Sequence, residues 1–316
     1  MIPPDSPFHP DNVAGYAAWR AAKLADYPAR AADLVVAIQD PARLAAAEYE
    51  ALWRCIARAN MVVYATRIGE TEDKCVPRDI AAQFGLTRLD ANWLADEDGI
   101  SSLTPQDGDP GGQTGTDPAR RGDYIPYTHQ RIRWHTDGYY NPAARRIYAM
   151  GLHCVRQAAE GGENDLYDHE LAYMALRDTN PDHIRALMAE DAMTIPARVD
   201  EMGVAREDET GPALLVDRGR LHLRYTARTR SIAWKQNAAT RAALAALEAL
   251  LASRPYGMFT VRLEPGMGLL CNNVLHTRAG FSDRPGHRRL LYRARYHDHL
   301  RDLRQGVVHA PRAERI

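Results

Sequence analysis

The sequence contains little cysteine and no excess of charge of either sign. Four cysteines occur among 316 residues, Cys55, Cys75, Cys154 and Cys271, and no two form a C-x-x-C pair. This argues against a zinc knuckle, a redox motif or a disulfide framework, and we expect buried free thiols. Lys and Arg number 40 against 41 Asp and Glu. The basic surface of a nucleic-acid-binding protein is therefore missing.

Long apolar runs are also missing. No stretch approaches the length that spans a bilayer, so we expect no membrane partner. The first residues, MIPPDSPFHPDN, lack the basic and apolar regions of a signal peptide. Hydrophobic residues make up 45% and charged residues 26% of the chain, which is ordinary for a globular protein. The sequence predicts a folded cytoplasmic protein, for which homo-oligomerisation stays open.

The first part of the chain has the hydrophobic spacing of helices. Residues 12–60 are rich in alanine and carry apolar residues at helical intervals, with breaks near Pro28 and Pro41. We predict two or three amphipathic helices in an N-terminal segment, residues 1–60, that packs on the remaining chain, residues 61–316.

Short strands predominate after that segment. Six runs have strand character: MVVYAT, RIYAMGLHCV, ALLVDRGRLHLRYTAR, MFTVRLEP, MGLLCNN and RRLLYRARYH. The third contains two strands joined at DRGR, which indicates a hairpin. Within the second run, His153 is expected to pack in the core. Three runs have helical spacing: PRDIAAQFGLTRLDANWL, DHELAYMALRD and NAATRAALAALEALLASRP. We expect Asp168 to cap the second helix and the third to start at Asn237. We predict an α+β fold whose core is a double-stranded β-helix, or jelly roll, with flanking helices.

Residues 105–127 differ from the rest of the chain in composition. They are dense in Gly, Pro and Asp and show no periodicity. Loops of this length without secondary structure are either functional lids or disordered segments. We favour a lid, because the stretch leads directly into the motif that follows.

That motif, WHTDGYY, places two metal-ligand side chains two residues apart. On a strand, His135 and Asp137 would point to the same side. A set of two histidines and one carboxylate holds non-haem Fe(II) and leaves other coordination positions open. The third ligand would come from a distant strand. His276, 139 residues beyond Asp137 at the end of GMGLLCNNVLH, is the candidate.

Three stretches together resemble a known family, the Fe(II)/2-oxoglutarate dioxygenases of the taurine dioxygenase (TauD/TfdA) superfamily. They are WHTDGYY, AAEGGENDLYD and GLLCNNVLHTRAGFSDRPGHRRLLYRARY. They occur in the family's order between about Tyr124 and Tyr296. Jointly they are specific, whereas any one alone is weak. The resemblance implies that His135, Asp137 and His276 are the catalytic iron ligands.

The resemblance also implies a cosubstrate site for 2-oxoglutarate. Asn164 stands where the family places a hydroxyl or amide beside the cosubstrate, and Arg293 would bind its distal carboxylate. A planar guanidinium matches a carboxylate bidentately. Arg289 shares a strand face with Arg293 and would be the supporting charge. Arg288 or Arg289 is the alternative anchor.

The implied activity is hydroxylation, or desaturation, of a small polar metabolite with O₂, releasing succinate and CO₂. The carboxylate of Asp137 disfavours halogenation, because halogenating relatives lack it. Tyr127, Tyr139, Tyr140 and Arg224 are candidates for contact with the substrate. Ordinary core packing and an exposed hairpin face are the alternatives for these four residues.

Two other classes of protein stay open. A cupin-like hydrolase or lyase would bind Zn²⁺ through the same His/Asp/His set and activate water. A non-catalytic β-sandwich would bind no metal.

Overall fold

The structure is a computed structural model that describes residues 2–91, 95–105, 121–200, 203–228 and 230–304. The helices within these ranges are α1 Val13–Leu24, α2 Ala46–Ala59, α3 Cys75–Ala82, α4 His169–Thr179, α5 Pro181–Met188 and α6 Ala238–Ala252. The strands are β1 Val35–Ala37, β2 Met61–Ala65, β3 Ser101–Leu103, β4 Ile132–His135, β5 Ala149–Arg156, β6 Glu160–Gly161, β7 Asn164–Tyr167, β8 Met193–Ile195, β9 Arg198–Asp200, β10 Gly203–Arg206, β11 Glu209–Gly211, β12 Leu214–Asp217, β13 Arg220–Leu223, β14 Ala233–Trp234, β15 Met258–Val261, β16 Met267–Cys271, β17 Leu275–Arg278, β18 Phe281–Ser282 and β19 Leu290–Tyr296.

Side-chain caps determine where several helices begin. Asn12 accepts a hydrogen bond from the backbone N–H of Gly15, and Asp168 accepts one from Glu170. Asn237 caps α6 in the same way. Such caps satisfy backbone N–H groups that have no partner inside the helix. The predicted helix starts at Asp168 and Asn237 are confirmed.

The largest sheet has the strand order β1-β2-β16-β5-β19-β3. Its four central strands match predicted strands. The outer strand β1 lies in the N-terminal segment, where only helices were predicted, and it pairs in parallel with β2 through Val35 and Val63. The N-terminal segment thus extends the main sheet as well as packing on it.

A smaller sheet has the order β15-β7-β17-β4. Side chains of both sheets, among them Leu152, Leu269, Leu166 and Leu275, belong to one hydrophobic cluster, so the two sheets pack against each other. A second cluster lies on the outer face of the large sheet, under α2 and α3. The described chain is a mixed α/β fold with several sheets.

Two smaller predictions had different outcomes. The DRGR hairpin is confirmed, because β12 and β13 pair antiparallel across a turn in which Arg218 and Gly219 have positive φ. The buried-thiol prediction is confirmed for Cys154 and Cys271 but wrong for Cys75, which is exposed.

Most of the predicted lid, residues 106–120, lies outside the described residues. Its last part, Arg121–Asp123 and Ile125–Tyr127, forms two short 3₁₀ turns. No helix among the described residues is long and apolar enough to cross a membrane.

Candidate metal centre

Three side chains converge at the end of the smaller sheet. His135 is the last residue of β4, and its antiparallel partner on β17 is His276. Their ring centroids are 4.1 Å apart. With Asp137 they form a group whose potential ligand atoms all lie within 4.8 Å of one another. The structure thus brings together the three side chains that the sequence singled out.

Asp137 reaches this group by a route that the sequence analysis did not predict. It lies in a turn after β4, instead of on the strand. Gly138 follows it with φ +62°, and a Cβ there would lie 2.4 Å from Cγ1 of Ile147. Glycine is therefore required both for the backbone angle and for the space. The turn, and not strand alternation, directs the carboxylate toward His135.

Both histidines are oriented by backbone carbonyls. Nδ1 of His135 lies 2.9 Å from the carbonyl oxygen of Arg133, and Nδ1 of His276 lies 2.9 Å from that of Val274. A carbonyl can only accept, so each Nδ1 carries the proton and each Nε2 keeps its lone pair for a metal. Burial lowers the pKa of His135 to about 3 and also lowers that of His276, which keeps both rings neutral.

Asp137 is a buried carboxylate among positive charges. Burial raises its pKa, but the charges of Arg293 and Arg295 outweigh this effect and hold the pKa below its usual value. Nη1 of Arg293 lies 3.4 Å from Oδ1 of Asp137. Oδ2 of Asp137 has no hydrogen-bond partner among the described residues. The carboxylate is thus ionised, with one oxygen available to a cation.

Sequence reasoning missed the residue that holds Asp137 in place. The side chain of Asn273, in the turn between β16 and β17, accepts from the backbone N–H of Asp137 and donates to its carbonyl, both at 2.8 Å. The same amide donates to the carbonyl of Ile147 at 2.7 Å. Asn273 has φ +49°, a conformation that asparagine tolerates better than most residues. The available signal was an asparagine placed just before the distal histidine.

Arg278 forms hydrogen bonds with the chain segment that precedes β4. Its guanidinium donates to four backbone carbonyls, those of Ile125, Pro126, Thr128 and Gln130. Burial lowers its pKa to about 9, so it stays charged at neutral pH. Arg278 therefore fixes the segment that leads into β4.

The three residues predicted to bind the cosubstrate lie in two places. Arg293 is beside Asp137, as described above. Arg289 and Asn164 line a separate small cavity of about 10 Å³ together with Gly161 and Gly162. Nδ2 of Asn164 donates to the carbonyl of Thr277 at 2.6 Å. This hydrogen bond links Asn164, a residue of the small cavity, to Thr277, which follows His276 in the chain.

Arg289 is a buried cation without an ionic partner. It is 4% exposed, and burial lowers its pKa to about 10. No salt bridge joins its guanidinium to a carboxylate among the described residues, and its ring contact is with Phe281, at 4.8 Å. Gly162 has φ +80°, and a Cβ there would lie 3.3 Å from Nε of Arg289. The guanidinium therefore lies close against the backbone of Gly162.

A larger cavity of about 430 Å³ is lined by two of the three convergent side chains, His135 and Asp137. Its lining includes Tyr139, Tyr140, Arg228 and Arg293. Two predicted substrate residues, Tyr139 and Tyr140, thus face this space.

The other two predicted substrate residues lie elsewhere. Arg224 is 1% exposed and donates to the backbone carbonyls of Tyr139 and Asn141, at 3.0 and 3.4 Å. Tyr127 is fully buried in the core. Arg224 supports the turn that carries the tyrosines, and it does not line the larger cavity.

Comparison with known proteins places this geometry in a family. Residues 79–295 match the model of the Taurine catabolism dioxygenase TauD, TfdA family. A uridine-5'-phosphate dioxygenase of Amycolatopsis sp. is 32% identical over 169 residues, which is 52% of this chain and 60% of that protein. The match thus spans less than two thirds of the length of that relative.

Two solved structures share the fold. An asparagine oxygenase in complex with Fe(II), hydroxyasparagine and succinate has a TM-score of 0.53 at 16% identity, covering 88% of this chain and 97% of its own. The non-haem iron oxygenase OrfP in complex with Fe and alpha-ketoglutaric acid has a TM-score of 0.57 at 19% identity, covering 84% and 83%. Because the family model matches more than half of its residues, this chain belongs to the TauD/TfdA family of dioxygenases.

Proposed function

We propose that the protein is an Fe(II)- and 2-oxoglutarate-dependent oxygenase. The observation that carries the proposal is the convergence of His135, Asp137 and His276 within 4.8 Å. The donor set fits Fe(II): two neutral imidazoles with free Nε2 atoms and an ionised carboxylate with an unpartnered oxygen. When bound, Fe(II) and 2-oxoglutarate supply O₂ activation and oxidation of a C–H bond, with release of succinate and CO₂.

Arg289 is the anchor that we propose for the distal carboxylate of 2-oxoglutarate, with Asn164 beside it. A buried guanidinium without an ionic partner among the described residues becomes more favourable when a carboxylate binds it bidentately. The small free volume beside Arg289 means that the guanidinium must turn to admit the carboxylate. Arg293 has a different role in this scheme. It keeps Asp137 ionised and faces the cavity above the metal ligands.

The substrate is a small polar metabolite that enters the larger cavity and is hydroxylated, or desaturated. The related dioxygenase from Amycolatopsis acts on uridine 5'-phosphate, and the asparagine oxygenase structure contains a hydroxylated amino acid. The Tyr139 and Tyr140 rings, which meet edge to face at 5.1 Å, would shield one wall of this cavity from water.

A Zn-dependent hydrolase or lyase with the same three ligands is the alternative. Such an enzyme needs a metal-bound water but no second site for a carboxylate. The Arg289 and Asn164 pair would then have no function. We therefore favour the oxygenase.

Several finer features belong to the same proposal. We propose that the large sheet and the smaller sheet form a double-stranded β-helix, with residues 1–60 packed on the core of residues 61–316. Residues 105–127 would act as a lid over the larger cavity. The protein would work in the cytoplasm, with O₂ and a small molecule as partners and with homo-oligomerisation open.

Anaerobic titration with Fe(II) and 2-oxoglutarate tests the proposal. We expect the visible charge-transfer band of the iron chelate in the wild type and its loss in His276→Ala. Arg289→Leu should weaken 2-oxoglutarate affinity about tenfold to a hundredfold while Fe(II) still binds, because charge-assisted hydrogen bonds are lost. Arg288→Leu, a change at an exposed neighbour, is the matched control.

Two results would contradict parts of this scheme. Intact protein that shows no band at any 2-oxoglutarate concentration would refute cosubstrate binding. A large loss of 2-oxoglutarate affinity in Arg293→Leu, with none in Arg289→Leu, would show that Arg293 is the anchor.

A further inference from the structure

A second cavity adjoins the one above the metal ligands. It has a volume of about 360 Å³ and shares Tyr139 and Tyr140 with the first. The two tyrosines therefore form a wall with one cavity on each side. We call the space beyond this wall the outer cavity, and the larger cavity described above the inner cavity.

The outer cavity is positively charged. Arg206 and Arg230 line it, and its lining contains no acidic residue among those the structure describes. Arg228 lines the neighbouring inner cavity. Across the described part of the chain, no carboxylate forms a salt bridge with any of these three arginines, whereas Arg145, Arg293 and Arg295 each pair with an aspartate.

Arg206 is held in a defined orientation. Its Nη2 donates to the carbonyl of Pro196 at 2.5 Å, and its guanidinium lies 5.8 Å from the ring centroid of Tyr140. Its Nε is buried and has no hydrogen-bond partner among the described residues. An oriented guanidinium with a buried, unused N–H is a binding group that lacks its acceptor.

The phenol of Tyr139 is near two of the arginines. Burial raises the pKa of Tyr139, while the charges of Arg228 and Arg206 act to lower it.

We propose that the outer cavity binds a phosphate monoester group of the substrate, while the carbon to be oxidised lies over the iron ligands in the inner cavity. The inference rests on the proposed oxygenase function and specifies its substrate as a phosphorylated small molecule. A phosphate monoester has three terminal oxygens and a charge near −2, so it can accept from Arg206 and Arg230 at once and balance both charges, whereas a carboxylate balances only one. The tyrosine rings would pack against the part that joins the two ends.

The test measures equilibrium binding of uridine 5'-monophosphate and of uridine to the anaerobic complex with Fe(II) and 2-oxoglutarate. We expect the phosphorylated compound to bind the wild type at least tenfold more tightly than uridine. Arg206→Gln and Arg230→Gln should each weaken its binding about tenfold, and the double variant more, with uridine affinity unchanged. Arg241→Gln, on the exposed face of α6 and outside both cavities, is the control.

We expect every variant to bind 2-oxoglutarate with wild-type affinity. A loss of phosphate binding would then not reflect a failure of the proposed oxygenase function. Equal binding of the phosphorylated compound by wild type and double variant overturns the phosphate site, and the oxygenase assignment stands. Failure of this compound and of other sugar and nucleoside phosphates to bind overturns it too. Turnover measurements add a further criterion: the double variant should raise KM for a phosphorylated substrate and leave kcat within about twofold, because the arginines do not contact the reacting carbon.

Discussion

At the scale of single residues, Asn273 shows how an uncharged side chain can fix a candidate metal ligand. Its side chain has no charge and is not a candidate metal ligand. Its amide nevertheless forms hydrogen bonds with the backbone N–H and carbonyl of Asp137 and with the carbonyl of Ile147. A ligand carboxylate on a turn needs such a clamp more than a ligand on a strand, because a turn has no ladder of hydrogen bonds to hold it.

Asn273→Asp tests this clamp. Aspartate tolerates the positive φ but cannot donate to the two carbonyls, so the turn that carries Asp137 loses two hydrogen bonds. We expect Mn(II) or Fe(II) affinity to fall about tenfold and stability to fall by about 1–3 kcal/mol. Calorimetric metal titration and urea unfolding measure the two effects.

Asn272→Asp is the matched variant in the same turn. Asn272 donates to the side chain of Asn60 and does not contact Asp137. We expect some loss of stability and unchanged metal affinity. Equal losses of metal affinity in both variants would mean that the turn as a whole, and not the Asn273 amide, positions Asp137.

At the scale of elements, β16 shows why one glycine is needed in the main sheet. Gly268 pairs with Tyr64 on β2 and with His153 on β5. A Cβ on Gly268 would lie 2.2 Å from the hydroxyl of Tyr64. Because Gly268 has no Cβ, the hydroxyl of Tyr64 passes across β16 and lies 3.1 Å from Nδ1 of His153. The expectation that His153 packs in the core is confirmed, since it is fully buried.

This contact predicts a pH dependence of stability. Burial lowers the pKa of His153 to about 4 in the folded protein, against an ordinary value near 6.5. The unfolded chain therefore takes up a proton first as pH falls. The stability that depends on neutral His153 is complete above about pH 6.5 and is lost as pH falls toward 4, by about 3 kcal/mol in total.

Urea unfolding of the wild type and of His153→Gln between pH 7.5 and 4 measures this effect. The wild type should lose more stability over that interval than the variant, which has no titrating ring at this position. His9→Gln, a change at a partly exposed histidine, should leave the wild-type slope intact. Parallel slopes for wild type and His153→Gln would rule out His153 as the source.

Local patterns explain which elements and site residues were predictable. Caps, strand alternation and the DRGR turn depend on neighbours in sequence, so the helix starts at Asp168 and Asn237 and the central strands were predicted. That His135 and His276 share one site was predicted from the family resemblance, and their strand pairing was not predicted, since strand partners far apart in sequence leave no local signal.

The residues that were not predicted depend on tertiary structure. The path from His276 to Arg289 includes β18 and a turn in which Arg284 pairs with His287, so spacing along the chain did not reveal which arginine faces which cavity. Asn273 and Arg224 act through backbone groups of distant segments. Strand β1 is only three residues long and is identified by its pairing with β2.

At the scale of the whole molecule, a buried charge network joins the N-terminal segment to the core. Lys23 on α1 is 6% exposed and contacts Asp168 at 2.8 Å and Glu170 at 2.5 Å. Burial acts to lower the pKa of Lys23, but the two carboxylates raise it above the ordinary value. Asn60 donates to the other oxygen of Asp168 at 2.9 Å. The network connects α1, α2 and α4.

Lys23→Met should therefore destabilise the protein by about 3–5 kcal/mol, because it leaves the buried carboxylate of Asp168 and the partly buried one of Glu170 without their cation. Arg20→Met on the same helix removes an exposed pair with Asp178 and should cost less than about 1 kcal/mol. Thermal and urea unfolding compare the two. Similar losses for both variants would show that the buried network contributes no more than an exposed one.

The parallel pairing of β1 with β2 limits where the chain can be truncated. Removing residues 1–60 would uncover the backbone N–H and C=O groups along one side of β2, whose residues Met61, Val62, Val63 and Tyr64 are almost fully buried in the intact fold. A bare, apolar strand edge is a template for self-association. A recombinant fragment that starts at Met61 would therefore be expected to form aggregates, and residues 1–60 should be kept in the protein that is expressed.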